Sequence, residues 1–328
     1  MIRFGVIGTN WITDRLLEAA SQNNDFQLTA VYSRTETKGR EFAQKYGVEN
    51  VFTNLEEMAK SDKIDAVYIA SPNSLHLEQT ITMLKNGKHV LCEKPLASNS
   101  KEIEIMINTA RENNVVLMEA MKTTLLPNFI ALKDNLHKIG KVRRYHASYC
   151  KYSSRYDAYR QGTILNAFNP QFSNGSLMDL GVYCIFPLVV LFGAPKKIKA
   201  NAVMLESGVD GGGSLLLEYD GFEAVITHSK IVNSYVPSEI QGEEGSFLIE
   251  EISDLERIEL RYRDGKMEEI GAETIHPSMY YEVEEFIHLI KSGKLESDMN
   301  SHENSLIVAN IVEEARKQFG LKYPADLN

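Results

Sequence analysis

Phe4-Gly5-Val6-Ile7-Gly8-Thr9-Asn10-Trp11-Ile12-Thr13 decides the fold. Four small or apolar residues form a strand buried on both faces, Gly8 ends it, and an amphipathic run from Ile12 to Ala20 follows as a helix. In a parallel βαβ sheet that first turn cradles the pyrophosphate of a dinucleotide, through glycine, glycine and a third small residue at fixed offsets. Here only the first glycine is kept. Asn10 takes the second place and is expected to adopt the left-handed backbone that glycine would supply. Thr13 takes the third and, being larger than alanine, is expected to loosen the packing of helix on strand. Gly8, Thr9, Asn10, Trp11 and Ile12 are the candidate cofactor loop, with Trp11 expected in the core or a pocket wall.

The alternation continues to about Glu119. Leu28–Tyr32, Asp65–Ala70, His89–Cys92 and Val115–Met118 read as strands, and Thr35–Lys45, Leu75–Lys85 and Lys101–Asn113 as helices, which makes a doubly wound parallel sheet of the α/β class. Past Met121 the texture changes. A helix over Pro127–Leu136 leads to an alternating run, Val142–Tyr152, and then to strand-like segments at Lys197–Met204, Ser214–Tyr219, Glu223–Lys230, Ser246–Glu251 and Arg257–Tyr262. Gly211-Gly212-Gly213, Asp220-Gly221 and Asp264-Gly265 read as turns between them, and no helix follows the triplet as a phosphate loop would require. Helices are expected at Met279–Ser292 and Ser301–Gln318. A chain of 328 residues suits two domains. These are 1–121, a Rossmann nucleotide-binding domain, and 122–328, an α+β domain with a large, open, mostly antiparallel sheet.

A net charge of −10 argues against a nucleic-acid partner, whose phosphates demand concentrated Lys and Arg. The chain opens directly into a strand with no basic and apolar leader, and no apolar run is long enough to cross a bilayer. Cys92, Cys150 and Cys184 are odd in number and scattered, which suits thiols of the reducing cytoplasm. The histidines show no metal-ligand spacing, so no metal is expected.

Three further stretches carry candidate chemistry. The second strand ends in Ser33-Arg34, where an NAD site would place an acid on the ribose diol. Arginine there suits a phosphate and favours NADP(H) over NAD(H). Ser71, Pro72, Asn73 and His76 follow the strand Asp65–Ala70, and Asn73 and His76 are placed to reach ribose or nicotinamide. Glu93-Lys94-Pro95 closes the strand His89–Cys92. Ligands gather at strand carboxyl ends, and proline keeps the residue before it out of the helical region, so Lys94 is held extended with its ammonium aimed. Lastly, Asn174-Gly175-Ser176 precedes an apolar helical run in which Asp179 and Tyr183 stand four apart on one face. An aspartate among such neighbours is costly unless hydrogen-bonded or facing a polar cavity. Tyr183 inside the core, satisfying Asp179, is the alternative to a catalytic pair. Pro187 is expected to bend or end this helix, with Gly193 and Pro195 stopping it.

Taken in order, Gly8 onward, Ser33-Arg34, Ser71-Pro72-Asn73 with His76, Glu93-Lys94-Pro95, Met118-Glu119-Ala120, Gly175 through Tyr183, and Glu285-Phe286-Ile287 to Tyr323-Pro324 resemble the glucose-fructose oxidoreductase, inositol dehydrogenase and rhizopine-catabolism (Gfo/Idh/MocA) family. The chain looks closest to the branch containing dimeric dihydrodiol dehydrogenase and NADP-dependent D-xylose dehydrogenase. The resemblance implies hydride transfer between nicotinamide C4 and a carbinol carbon of a sugar, polyol or diol, and a homo-oligomer, a dimer or larger, formed through the open sheet. It places Lys94 at the family's lysine, Glu93 with the cofactor contacts, Asp179 at its aspartate, and Tyr183 where many members carry histidine. Asn10 in place of the second glycine and Thr124 in place of an arginine depart from that branch.

Oxidising an alcohol needs a base poised near neutral pH. A free tyrosine, at about 10, is too weakly ionised, and a neighbouring ammonium would favour tyrosinate. The expectation is that Tyr183 exchanges the proton, Lys94 tunes it and orients the substrate oxygen, and Asp179 orients one of them. Two rival readings are a non-catalytic, NADP-responsive binding or regulatory protein on the same fold, and a nucleotide-binding transferase.

Overall fold

A computed structural model describes residues 1–327. The chain opens β1 (Ile2–Ile7), α1 (Trp11–Ala20), β2 (Phe26–Tyr32), α2 (Glu36–Lys45), β3 (Asn50–Phe52), α3 (Leu55–Lys60), β4 (Ala66–Ile69), α4 (His76–Lys85), β5 (His89–Glu93), α5 (Ser100–Glu112) and β6 (Leu117–Ala120). It continues through α6 (Pro127–Asn135), β7 (Val142–Cys150), α7 (Tyr156–Arg160) and α8 (Val182–Phe192), and then β8 (Lys197–Met204), β9 (Asp210–Glu218), β10 (Glu223–Ser229), β11 (Ser238–Gly242), β12 (Gly245–Glu250), β13 (Arg257–Tyr262) and β14 (Met267–Ile270). Two helices close it, α9 (Tyr280–Ser292) and α10 (His302–Gln318). The residues cluster into two compact units, the first comprising residues 1–122 and 276–305, the second residues 123–275 and the remainder from Leu306.

In the first unit six parallel strands run in the order β3-β2-β1-β4-β5-β6. Phe4, Val6, Val67, Tyr68 and Leu91 are fully buried, as helices on both sheet faces require. Asparagines cap three of those helices: Asn10, Asn54 and Asn99 accept from the N–H groups of Ile12, Glu57 and Glu102, which otherwise lack partners at a helix start. The order reverses between β1 and β4, and in such sheets the ligand crevice opens outside the carboxyl ends of those two strands. α9 packs here too, with Phe286 5.9 Å from the Phe4 ring.

In the second unit eight strands run β14-β13-β12-β11-β7-β10-β9-β8, antiparallel except for β10 beside β7. Two expectations fail here, and a third is narrowed. Gly212 and Gly213 lie inside β9, opposite Ser229 and His228, and make no turn. A Cβ on Gly213 would come within 2.6 Å of the Asn201 carbonyl of β8, so close strand approach demands the glycine. Pro187 does not end α8, which runs through it to Phe192. The Tyr145 hydroxyl donates to the carbonyl of Cys184, three residues before the proline, at 3.0 Å. Within the 23-residue stretch Pro170–Phe192 an 18-residue window has a mean hydropathy of 1.9, long and apolar enough to cross a bilayer, contrary to the sequence reading, although 67% of that window is buried inside the protein, as in a core helix. Gly193, at φ +72°, does end α8, its N–H bonding the Val189 carbonyl at 2.8 Å.

Candidate active site

The first-unit crevice is shaped by Gly8. Its φ is +107°, and a Cβ there would lie 2.6 Å from the Ala70 carbonyl at the end of β4. Asn10 is not left-handed. Its backbone is extended at φ −117°, ψ 176°, its side-chain oxygen caps α1, and its Nδ2 donates to the Ala70 carbonyl at 2.7 Å. Asparagine therefore replaces glycine by cross-linking the switch point instead of copying glycine's conformation. Thr13 is buried and donates to the Gly8 carbonyl at 2.7 Å, which ties helix to loop where smallness was expected. Trp11 is 56% exposed, so of its two expected places, core or pocket wall, the core is excluded, and Arg15 lies 5.9 Å over its ring. Thr9 and Ile12 are half-buried in the same loop, and at the end of β2 Ser33 is buried and Arg34 exposed.

Glu93 and Lys94 close β5, and the Lys94–Pro95 peptide is cis. This turn is held from three sides within the unit. The buried Tyr68 hydroxyl donates to Glu93 Oε1 at 2.5 Å. Glu119 of β6 accepts the Leu96 N–H at 3.0 Å on Oε1 and the Ser305 hydroxyl at 2.6 Å on Oε2. His76 is fully buried, with Nδ1 3.1 Å from the Pro95 carbonyl and Nε2 2.9 Å from the Ser71 carbonyl. Both ring nitrogens thus face backbone, and His76 laces the β4–α4 loop to the lysine turn. Ser71 donates to Gln79 at 2.6 Å, while Pro72 and Asn73 stay half-buried beside it.

The electrostatics beneath Lys94 are unusual. Burial pushes the Glu119 carboxyl up to about 7, against the hydrogen bonds from Ser305 and Leu96. Glu282 of α9 is 0% exposed, and neither of its carboxyl oxygens has a hydrogen-bond partner. Burial, with the charge of Glu93, drives it well above the usual carboxylate range, while Lys122 and Lys94 pull the other way. Burial likewise raises the Tyr68 phenol and lowers the His76 imidazole. Sequence reasoning missed Tyr68 and Glu119 as supports of this turn, and Glu282 as the unpartnered carboxyl near it. The one available signal was an acid inside an apolar pattern: Glu119 in Leu117–Ala120, and Glu282 one residue before Val283 on the buried stripe of α9.

The second unit holds Asp179 and Tyr183. Leu177–Gly181 forms a π-helical turn leading into α8, with the Val182 N–H bonding Leu177 O, a feature that recurs at functional sites. It is built on a buried polar cluster. Asp210 Oδ2 accepts the Leu177 N–H at 2.7 Å, and a Cβ on Gly175 would fall 2.0 Å from Asp210 Oδ1. His228 Nδ1 lies 2.9 Å from the Ser176 hydroxyl. Burial raises Asp210 to about 6 and lowers His228 to about 3, so the histidine is neutral. The Tyr323 hydroxyl donates to the Asn174 carbonyl at 3.0 Å and pins the entry to the turn. On this base Asp179 Oδ2 is 2.8 Å from the Lys230 ammonium, a partner the sequence reading did not find. Tyr183 is half-buried, its ring edge-on to Tyr149 at 5.4 Å. Among the described residues no group of three His, Cys, Asp or Glu side chains is arranged to hold a metal ion.

Comparison with known proteins adds the chemistry class. Residues 2–121 match the family model described as an oxidoreductase family with an NAD-binding Rossmann fold, and residues 135–248 match the GFO/IDH/MocA C-terminal domain. A scyllo-inositol 2-dehydrogenase (NADP(+)) of Bacillus subtilis is 64% identical over 99% of both chains. A trans-1,2-dihydrobenzene-1,2-diol dehydrogenase of Danio rerio is 31% identical over 92% of this chain and 91% of its own. Among solved structures, a 3-ketoreductase from Actinomadura kijaniata in complex with NADP and TDP-benzene superposes with a TM-score of 0.83 at 26% identity, covering 97% of this chain and 98% of that one.

Proposed function

The chain belongs to the GFO/IDH/MocA family and is an NAD(P)-dependent oxidoreductase, and from that premise we propose that it oxidises a ring hydroxyl of a cyclic polyol of the scyllo-inositol kind with NADP+. The observation that carries this reading is the 64% identity, over 99% of both chains, to a scyllo-inositol 2-dehydrogenase (NADP(+)). The first unit fits the cofactor on its own evidence. Gly8 leaves a cradle that a Cβ would fill, α1 starts directly after it, and Arg34 stands exposed where an NAD site keeps an acid. Gly8 to Ile12 would hold the pyrophosphate, Ser33 and Arg34 the adenosine ribose and its phosphate, and Ser71 to Asn73 with Glu93 and Lys94 the nicotinamide half. Bound there, the dinucleotide supplies the hydride acceptor.

The chain's own side chains then handle the proton and the substrate. We assign proton exchange with the reacting hydroxyl to Tyr183 and orientation of its oxygen to Lys94, with Asp179 accepting a hydrogen bond from the polyol. The assignment of His76 is a positioning one, since its nitrogens are taken by backbone carbonyls. Residues 1–121 serve as the nucleotide domain and 122–328 as the substrate and oligomer domain in this reading. Exposed Val203, Met204 and Leu216 on β8 and β9 support association through the eight-stranded sheet, and the free thiols Cys92, Cys150 and Cys184 support a reducing cytoplasm.

The test is NADPH and NADH formation at 340 nm across scyllo-inositol, myo-inositol, aldoses and a cyclic diol. Turnover of an inositol with NADP+ favoured over NAD+ is expected. Tyr183→Phe should lower kcat by roughly 10²- to 10⁴-fold, the range for loss of a proton-transfer group, and Lys94→Met should lower kcat as well, because the reacting oxygen loses its orienting ammonium. Full kcat in Tyr183→Phe removes the tyrosine from the proton path. NADPH binding without turnover of any polyol or sugar would move the protein to the regulatory reading.

A further inference from the structure

Lys230 follows β10 and belongs to none of the sequence motifs. Only 3% of its side chain is exposed. Its ammonium lies 2.8 Å from Asp179 Oδ2, donates to the Ala167 carbonyl at 3.1 Å and sits 5.2 Å above the Phe168 ring. Its backbone is fixed as well, its N–H bonding Gly211 O and its carbonyl accepting from Ser153, both at 2.8 Å. Enclosing an ammonium this fully is costly unless a carboxylate and further acceptors replace its water. The other end of the pair is different. The Asp179 side chain is 37% exposed and rides on the π-helical turn. The pair therefore has a buried, restrained cation and a partly exposed anion.

Resting on the polyol reading above, we propose that Lys230 is a positioning residue: it holds the Asp179 carboxylate in one orientation, so that it receives a hydroxyl of a polyhydroxylated substrate. A carboxylate accepts from hydroxyls and cannot donate, which suits a substrate carrying several O–H groups. An acceptor whose rotation is already restrained loses less entropy on binding than a free aspartate. The fixed end has three separate restraints, namely an ion pair, a carbonyl and an aromatic face, whereas an exposed Lys–Asp pair would have only the first.

Steady-state kinetics with scyllo-inositol and NADP+ on the full-length protein test this, together with thermal melts. Lys230→Met leaves the partly exposed Asp179 in contact with water, so the variant should fold with a thermal midpoint close to that of the wild type. Its KM for the inositol should rise roughly 10- to 100-fold while kcat stays within about threefold, as expected when a charge-assisted substrate contact loses its orientation. Asp179→Asn should lower the midpoint, because it strands a buried ammonium. The Lys230→Met/Asp179→Asn double variant should recover the midpoint and show no larger KM than Asp179→Asn alone, and it reads the same KM even if Lys230→Met folds poorly. Unchanged KM in Lys230→Met, or a double-variant KM equal to the product of the single effects, overturns the proposal. Absence of inositol turnover in the wild type overturns the polyol reading and this proposal with it; wild-type turnover with unchanged KM in the variants overturns this proposal alone.

Discussion

Replacing Glu119 by glutamine should remove a pH dependence of stability that originates directly beneath the lysine turn. Glu119 is fully buried and titrates near 7 instead of 4.5. Its folded value lies above its unfolded one. Between those two pH values the unfolded chain has lost a proton that the folded chain keeps, so stability falls as pH rises, by about 1.4 kcal/mol per pH unit. The contribution is fully present below about pH 4.5 and gone above about pH 7, a loss of about 3 kcal/mol from this residue. Glutamine keeps an acceptor for the Leu96 N–H, and the Ser305 hydroxyl can turn to accept from its amide. Denaturant unfolding of wild type and Glu119→Gln at pH 5 and pH 8 isolates the residue, since other groups titrate in both. The stability of the variant relative to wild type should grow by roughly 2–3 kcal/mol between the two pH values. A difference that does not change with pH would refute the reasoning and show that Glu119 is ionised throughout.

Two further outcomes follow from the same unit. Gly8→Ala forces a side chain into φ +107° and a 2.6 Å approach to the Ala70 carbonyl. It should weaken NADPH binding at least tenfold in a fluorescence titration and cost roughly 1–3 kcal/mol of stability, and binding within twofold of wild type would show that the loop tolerates a Cβ. Glu282→Met removes a buried carboxyl whose two oxygens have no partner. It should raise the thermal midpoint, by an amount corresponding to roughly 1–3 kcal/mol, with a larger gain at pH 9 than at pH 6 because the raised folded value penalises the wild type as pH climbs; a lower midpoint at both pH values would mean that the carboxylate is ionised and pairs with Lys94 or Lys122.

What could be read from the chain divides along a physical line. β1, β2, β4, β5 and β6 were legible because burial on both faces writes itself as runs such as Val115-Val116-Leu117-Met118, and β3 was not, since three half-buried residues carry no period. β11, with Glu239 and Gln241 alternating against buried Ser238 and Ile240, was missed for a related reason: its pairing with β7 and β12, more than its composition, makes it a strand. Lys94 was legible because the Glu-Lys-Pro turn is local. Its supports were not, since Tyr68 of β4 and Glu119 of β6 meet it from strands that only the sheet order brings beside β5. The same holds for Lys230, 51 residues from Asp179, whose strand pattern gives no hint of an ion pair. Asn10 and Gly211-Gly212-Gly213 teach the converse. Intrinsic preference assigned asparagine a left-handed backbone and glycines a turn, and both yielded to neighbours: the Ala70 carbonyl that Asn10 binds, and the Asn201 carbonyl that Gly213 must clear. Local preference and final structure thus disagree where backbone passes close to backbone, or where a charge is buried. In this chain those places are the candidate cofactor loop, the base of the lysine turn and the floor of the aspartate turn, so the failures of sequence reasoning lie beside the residues that the proposed chemistry uses.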